Sequence, residues 1–77
     1  MSDLDFLNSI VDDLNCTVSM YDDDYVLVGY DYENFEKALF RIILNDDLDV
    51  TLLTQNIFVD NAYRIYFNFK YLFIKLD

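Results

Sequence analysis

Residues 50–75 read VTLLTQNIFVDNAYRIYFNFKYLFIK. Asp60-Asn61 sits between two runs rich in β-branched and aromatic residues, the pattern of a hairpin closed by a two-residue turn. Pairing away from that turn sets Phe58, Thr54, Leu52 and Val50 beside Tyr63, Phe67, Phe69 and Tyr71. Gln55 and Thr51 then fall on the other face with Arg64, Asn68 and Lys70. One apolar and one mixed face is what an antiparallel sheet covered on one side requires. From Tyr71 to Leu76 both faces are apolar, as in a strand covered twice or an exposed edge. A short helix over residues 51–58 is the rival reading of this stretch.

Upstream, residues 33–44 carry Phe35, Leu39, Ile42 and Ile43 at helical spacing, with Glu33, Lys37 and Arg41 as a charged row. Asp31 or Tyr32 is expected to begin this helix and Asn45 to end it. Residues 16–21 alternate, with Val18 and Met20 on one face, and residues 25–30 are β-branched and aromatic. Asp22, Asp23 and Asp24 between them suit a turn, so a second hairpin with an acidic tip is expected. Leu4, Leu7, Ile10, Val11 and Leu14 mark an amphipathic helix over 3–14. Ser2 and Asp5 have the spacing of a capping box, with Asp in place of the usual Glu or Gln. The whole chain, 1–77, then reads as one α+β domain of order α-β-β-α-β-β. It is expected to be a four-stranded antiparallel sheet with two helices on one face.

Composition narrows the function. The chain has 77 residues, 55% of them hydrophobic, with seven Phe and seven Tyr, enough apolar material for a core and too much for a disordered chain. It has no His, one Gly and one Cys. Those counts remove Ser-His and Cys-His nucleophiles, glycine-rich phosphate loops, internal disulfides and cysteine metal clusters. Cys16, on an expected strand, reads as a buried thiol. Asp22-Asp23-Asp24 and the 45–49 segment lack the alternating ligands, central Gly and terminal Glu of a calcium loop, so neither is expected to hold a metal. No cofactor and no enzymatic activity are expected. No basic-then-apolar leader opens the chain, and no apolar run approaches a membrane span. A lone cysteine suits a reducing cytoplasm.

Charge is the informative quantity. Fifteen acids face five bases, a net charge of −10. Residues 1–49 hold thirteen of the acids and only Lys37 and Arg41, whereas residues 50–77 are near neutral. Such a surface repels DNA, RNA and anionic lipid, and attracts basic proteins. Carboxylates three or four residues apart on a helix lie about 5–6 Å apart, a spacing that can imitate phosphates along a strand. Thirteen of the acids are Asp, whose short side chain holds charge close to the backbone. The partner-binding residues are therefore expected to be Asp12 and Asp13 on the first helix and Asp22, Asp23, Asp24 and Tyr25 at the hairpin tip. Asp31, Glu33 and Glu36 on the second helix and Asp46, Asp47 and Asp49 after it complete the set. Tyr21, Tyr25, Tyr30 and Tyr32, flanking this hairpin, read equally as interface or as core packing.

The length, the charge, the Asp-rich turns and the frequent Asn, Asp, Tyr and Ile together resemble one class of protein. These are the small acidic inhibitors that phages make against host nucleases, including anti-CRISPR proteins and other DNA mimics. The resemblance implies a cytoplasmic protein that fills a nucleic-acid-binding groove stoichiometrically. Acidic antitoxins and immunity proteins look similar. A different reading is an interaction module that pairs or dimerises through the aromatic C-terminal strand.

Overall fold

The structure, a computed structural model, describes residues 2–54 and 57–72. Helix α1 spans Asp3–Val11, followed by a 3-10 turn at Asp12–Leu14. Strands β1 (Thr17–Tyr21) and β2 (Asp24–Gly29) form the first hairpin, and helix α2 runs Tyr32–Ile43. Strands β3 (Leu48–Leu52), β4 (Ile57–Val59) and β5 (Ala62–Tyr71) follow. All pairings are antiparallel, in the order β1-β2-β5-β3, with β4 also on β5.

The α+β class and the two helices agree with the sequence reading; the strand count does not. The expected strand over 50–59 is two strands, β3 and β4, on the same edge of β5. Ile57 pairs with Arg64 and Leu52 with Phe67, so the register slips by two residues between β4 and β3. Leu52 therefore lies opposite Phe67 rather than Phe69, and Val50 opposite Phe69 rather than Tyr71. Because the slip is two residues, every side chain keeps its face. Thr54, expected beside Phe67, instead accepts a hydrogen bond at Oγ1 from the Tyr66 N–H at 3.1 Å. The rival helix over 51–58 is overturned by the strand pairing of Thr51 and Leu52 on one side and of Ile57 and Phe58 on the other. Gln55 and the run from Phe73 to Leu76 lie outside the described residues.

α1 begins with the expected capping box. Ser2 Oγ accepts from Asp5 N at 3.1 Å, and Asp5 Oδ2 accepts from Ser2 N at 3.4 Å. The α-helix stops three residues early. The 3-10 turn, with its three-residue period, sets Leu14 into the core behind Val11, and Asn15 in the left-handed region (φ 57) ends it. Asn8 then docks the helix on the sheet edge. Its amide oxygen accepts from Val18 N and its amide nitrogen donates to Val18 O, both at 2.9 Å. One side chain thus satisfies backbone groups that an edge strand would otherwise offer to another chain.

α2 is capped by Asp31, whose Oδ2 accepts from Asn34 N at 3.0 Å. Its buried residues Phe35, Ala38, Leu39 and Ile42 meet Leu7, Val11, Leu27, Ile65 and Phe67 in one core, so both helices cover the same sheet face. The chain's only glycine sits where that packing is closest. A Cβ on Gly29 would lie 2.9 Å from Cys16 Sγ and 3.1 Å from Phe35. Asp60 and Asn61 form the expected two-residue turn, both with positive φ (55 and 65), as the twist of a hairpin demands. No helix among the described residues is long and apolar enough to cross a membrane.

Candidate acidic interface

Strand register gives the sheet two ends. At the end where β5 finishes, Leu48 faces Tyr71, and the Asp22-Asp23 turn and the 46–47 connection lie there. At the other end Gly29 faces Tyr63, and Asp31 and the Asp60-Asn61 turn lie there. α1 begins at the Tyr71 end, because Asp3 accepts hydrogen bonds from Tyr25 Oη (3.2 Å) and Tyr71 Oη (2.8 Å). This contact joins residues 68 positions apart in the chain.

The Tyr71 end therefore gathers Asp3, Asp22, Asp23, Asp24, Asp46, Asp47 and Asp49. Asp24 and Asp49 flank β5 on its two sides and project to the open sheet face, since Tyr25 and Val50 point to the core. Strand spacing of about 4.8 Å and a rise of about 3.3 Å per residue set their backbones about 12 Å apart. Lys70, opposite Asp49, is the one base on the strands of this end among the described residues. Arg41, in the last turn of α2, is turned away from it onto Asp13 (2.6 Å) and the Ile10 carbonyl (3.1 Å). The carboxylates are spread rather than converged: no three of them among the described residues are placed to hold a metal ion.

The twelve expected binding residues thus divide. Asp22, Asp23, Asp24, Asp46, Asp47 and Asp49 come together, and all but the half-buried Asp24 are exposed. Tyr25 is among them in space, but its ring stacks on Phe67 and packs on Phe69, with centroids at 5.8 and 5.1 Å. Burial, with the Asp3 carboxylate beside it, pushes its phenol up. The other residues lie elsewhere and have local partners. The bond from Arg41 holds the Asp13 carboxyl below its ordinary value, and Asp12 adds to the field on Arg41. Asp31 caps α2, Glu33 lies 3.6 Å from Lys37, and Glu36 accepts from Tyr32 Oη at 3.1 Å.

Two site residues escape a reading of the sequence. Asp3 looks like one more polar residue on α1, and Tyr71 like one more aromatic on a strand. Nothing local marks their bond. Of the four tyrosines flanking the first hairpin, Tyr21, Tyr30 and Tyr32 are exposed and Tyr25 is packed. Cys16 is buried, donates to the Leu14 carbonyl at 3.4 Å, and has its thiol pushed up by burial and then by Asp31, the opposite of an activated nucleophile. The chain matches no protein-family model, no curated protein and no solved structure.

Proposed function

We propose that this chain is a non-enzymatic inhibitor that seats its Tyr71 end on the nucleic-acid-binding surface of a basic protein, as a mimic of DNA. The observation that carries this reading is the gathering of seven aspartates at one end, from the start of α1, the first hairpin and the α2–β3 region, with Lys70 as the one strand base beside them among the described residues. The backbone separation of Asp24 and Asp49, about 12 Å, is near the width of a B-DNA major groove, about 12 Å. Phage-encoded anti-CRISPR and related anti-defence inhibitors are the class this function belongs to, acting in the host cytoplasm. The interface is electrostatic, so association is fast and weakens steeply with salt.

The test is inhibition of a panel of DNA-binding nucleases, followed by titration of any responder from about 50 to about 500 mM salt. Affinity is expected to fall steadily with the logarithm of salt concentration. Asp23→Lys with Asp46→Lys is expected to weaken binding at least about tenfold, roughly 1.4 kcal/mol. A flat salt dependence sinks the proposal.

One observation favours a second reading, self-association through a sheet edge. At Tyr63, Arg64 and Phe67, β5 pairs with a strand on both sides, so strand addition cannot occur there. The outer edge of β3 and β4 instead exposes Leu52, Leu53, Ile57, Phe58 and Val59. A single monomeric species in sedimentation at micromolar concentration removes this reading.

A further inference from the structure

A second exposed feature lies at the Gly29 end, away from the gathered aspartates. Phe58 on β4, Tyr63 on β5 and Tyr32 at the start of α2 form a chain of rings. The Tyr63 centroid is 4.6 Å from Phe58 and 5.3 Å from Tyr32, and its inner side rests on Phe35 at 5.7 Å. Core packing does not account for the outer two, since Phe58 is 57% and Tyr32 47% exposed while Phe35 fills the space beneath. The Tyr32 hydroxyl donates to Glu36 Oε2 at 3.1 Å, which holds a carboxylate one helical turn from the ring. Among the described residues Glu36 has no ion-pair partner.

Ring faces are electron-rich, and Glu36 adds a full negative charge beside them. That combination complements a flat cation that both stacks and donates hydrogen bonds. Arginine's guanidinium is such a cation, whereas lysine offers a compact, strongly hydrated ammonium that gains less from a ring face.

We infer that the Phe58, Tyr63 and Tyr32 rings with Glu36 form a docking site for an arginine side chain of a basic partner that reaches from the Tyr71 end to the Gly29 end, about 26 Å along β5. The inference rests on the proposed function for the partner's positive charge and adds which base the partner presents. The aspartates alone attract arginine-rich and lysine-rich surfaces alike; the rings separate them.

Two short peptides of equal charge, oligo-arginine and oligo-lysine, test this by calorimetric titration at low salt, with ring resonances followed by NMR. Oligo-arginine is expected to bind about two- to fivefold more tightly per stacked ring and to shift the Phe58 and Tyr32 signals. Phe58→Leu and Tyr32→Leu keep apolar bulk but remove the ring face, and each is expected to bring the arginine-to-lysine ratio towards one. Asp23→Lys with Asp46→Lys is expected to weaken both peptides and leave that ratio unchanged. Equal affinities for the two peptides, or a ratio indifferent to both leucine variants, overturns the ring site while leaving the acidic end as proposed. Binding of neither peptide overturns both.

Discussion

Much of the aspartate in this chain is explained by backbone geometry before any partner is considered. Among the described residues, four other than glycine have positive φ: Asn15, Asp22, Asp60 and Asn61. Asn and Asp tolerate that region better than other side chains do. The single glycine is occupied at position 29, where Cys16 and Phe35 leave no room for a Cβ, so turns fall to Asp and Asn. Asp5 accepts from the Ser2 N–H to complete the α1 capping box, and Asp31 caps α2. The excess of Asp over Glu, read from sequence as a rigid charged array, is in part a substitute for glycine and serine. Asp31 separates the two roles. Asp31→Ala is expected to destabilise the fold by about 0.5–2 kcal/mol, whereas Asp31→Ser keeps an acceptor for Asn34 N and most of the stability. Urea denaturation of the two variants makes the comparison. Equal losses would show that the charge, and not the cap, matters at this position.

Elements were legible wherever a local pattern set them. Both helices announced their caps, and the Asp60-Asn61 turn announced its hairpin, because capping and turn chemistry act within a few residues. The two-residue slip of register between β3 and β4 was not legible. Its cause is long-range: β5 already pairs with β2, and β3 must meet it in a register that sets Leu48 and Val50 over the core. The bond from Tyr71 to Asp3 was hidden for the same reason. It clamps the start of α1 to β2 and β5, and it has a pH signature. The hydrogen bond to Asp3 raises the Tyr71 phenol above its ordinary value, and burial followed by Asp3 raises that of Tyr25. A phenol raised in the folded state contributes stability that is complete below the unfolded value, near about 10, and is lost as pH rises through the folded one. The melting temperature is therefore expected to fall above about pH 10. Tyr71→Phe should melt lower at neutral pH and lose less on going alkaline. Circular dichroism melts from neutral to alkaline pH give both slopes, and parallel curves for the two proteins would remove Asp3 as the cause.

At the scale of the molecule, sequence assigned the charge to the first two-thirds of the chain, and the fold redistributes it by end. An antiparallel order sends alternate connections to the same end, so the start of α1, the β1–β2 turn and the link from α2 to β3 converge although they are far apart in sequence. That convergence costs stability. Two unit charges about 10 Å apart in water repel by about 0.4 kcal/mol unscreened. A Debye length of about 10 Å at 0.1 M salt cuts this to roughly a third. Salt is therefore expected to have opposite effects on folding and on partner binding. Raising it should lift the melting temperature by several degrees, at about 4–8 °C per kcal/mol for a domain of this size, while weakening the complex. Asp23→Asn with Asp46→Asn should raise the low-salt melting temperature, flatten its salt dependence and loosen the partner. These two residues suit the test because neither has positive φ and neither side chain makes a hydrogen bond among the described residues. A double variant that melts lower than the parent at low salt would mean that these carboxylates hold the backbone, and would return the gathered aspartates to the same structural account as Asp5 and Asp31.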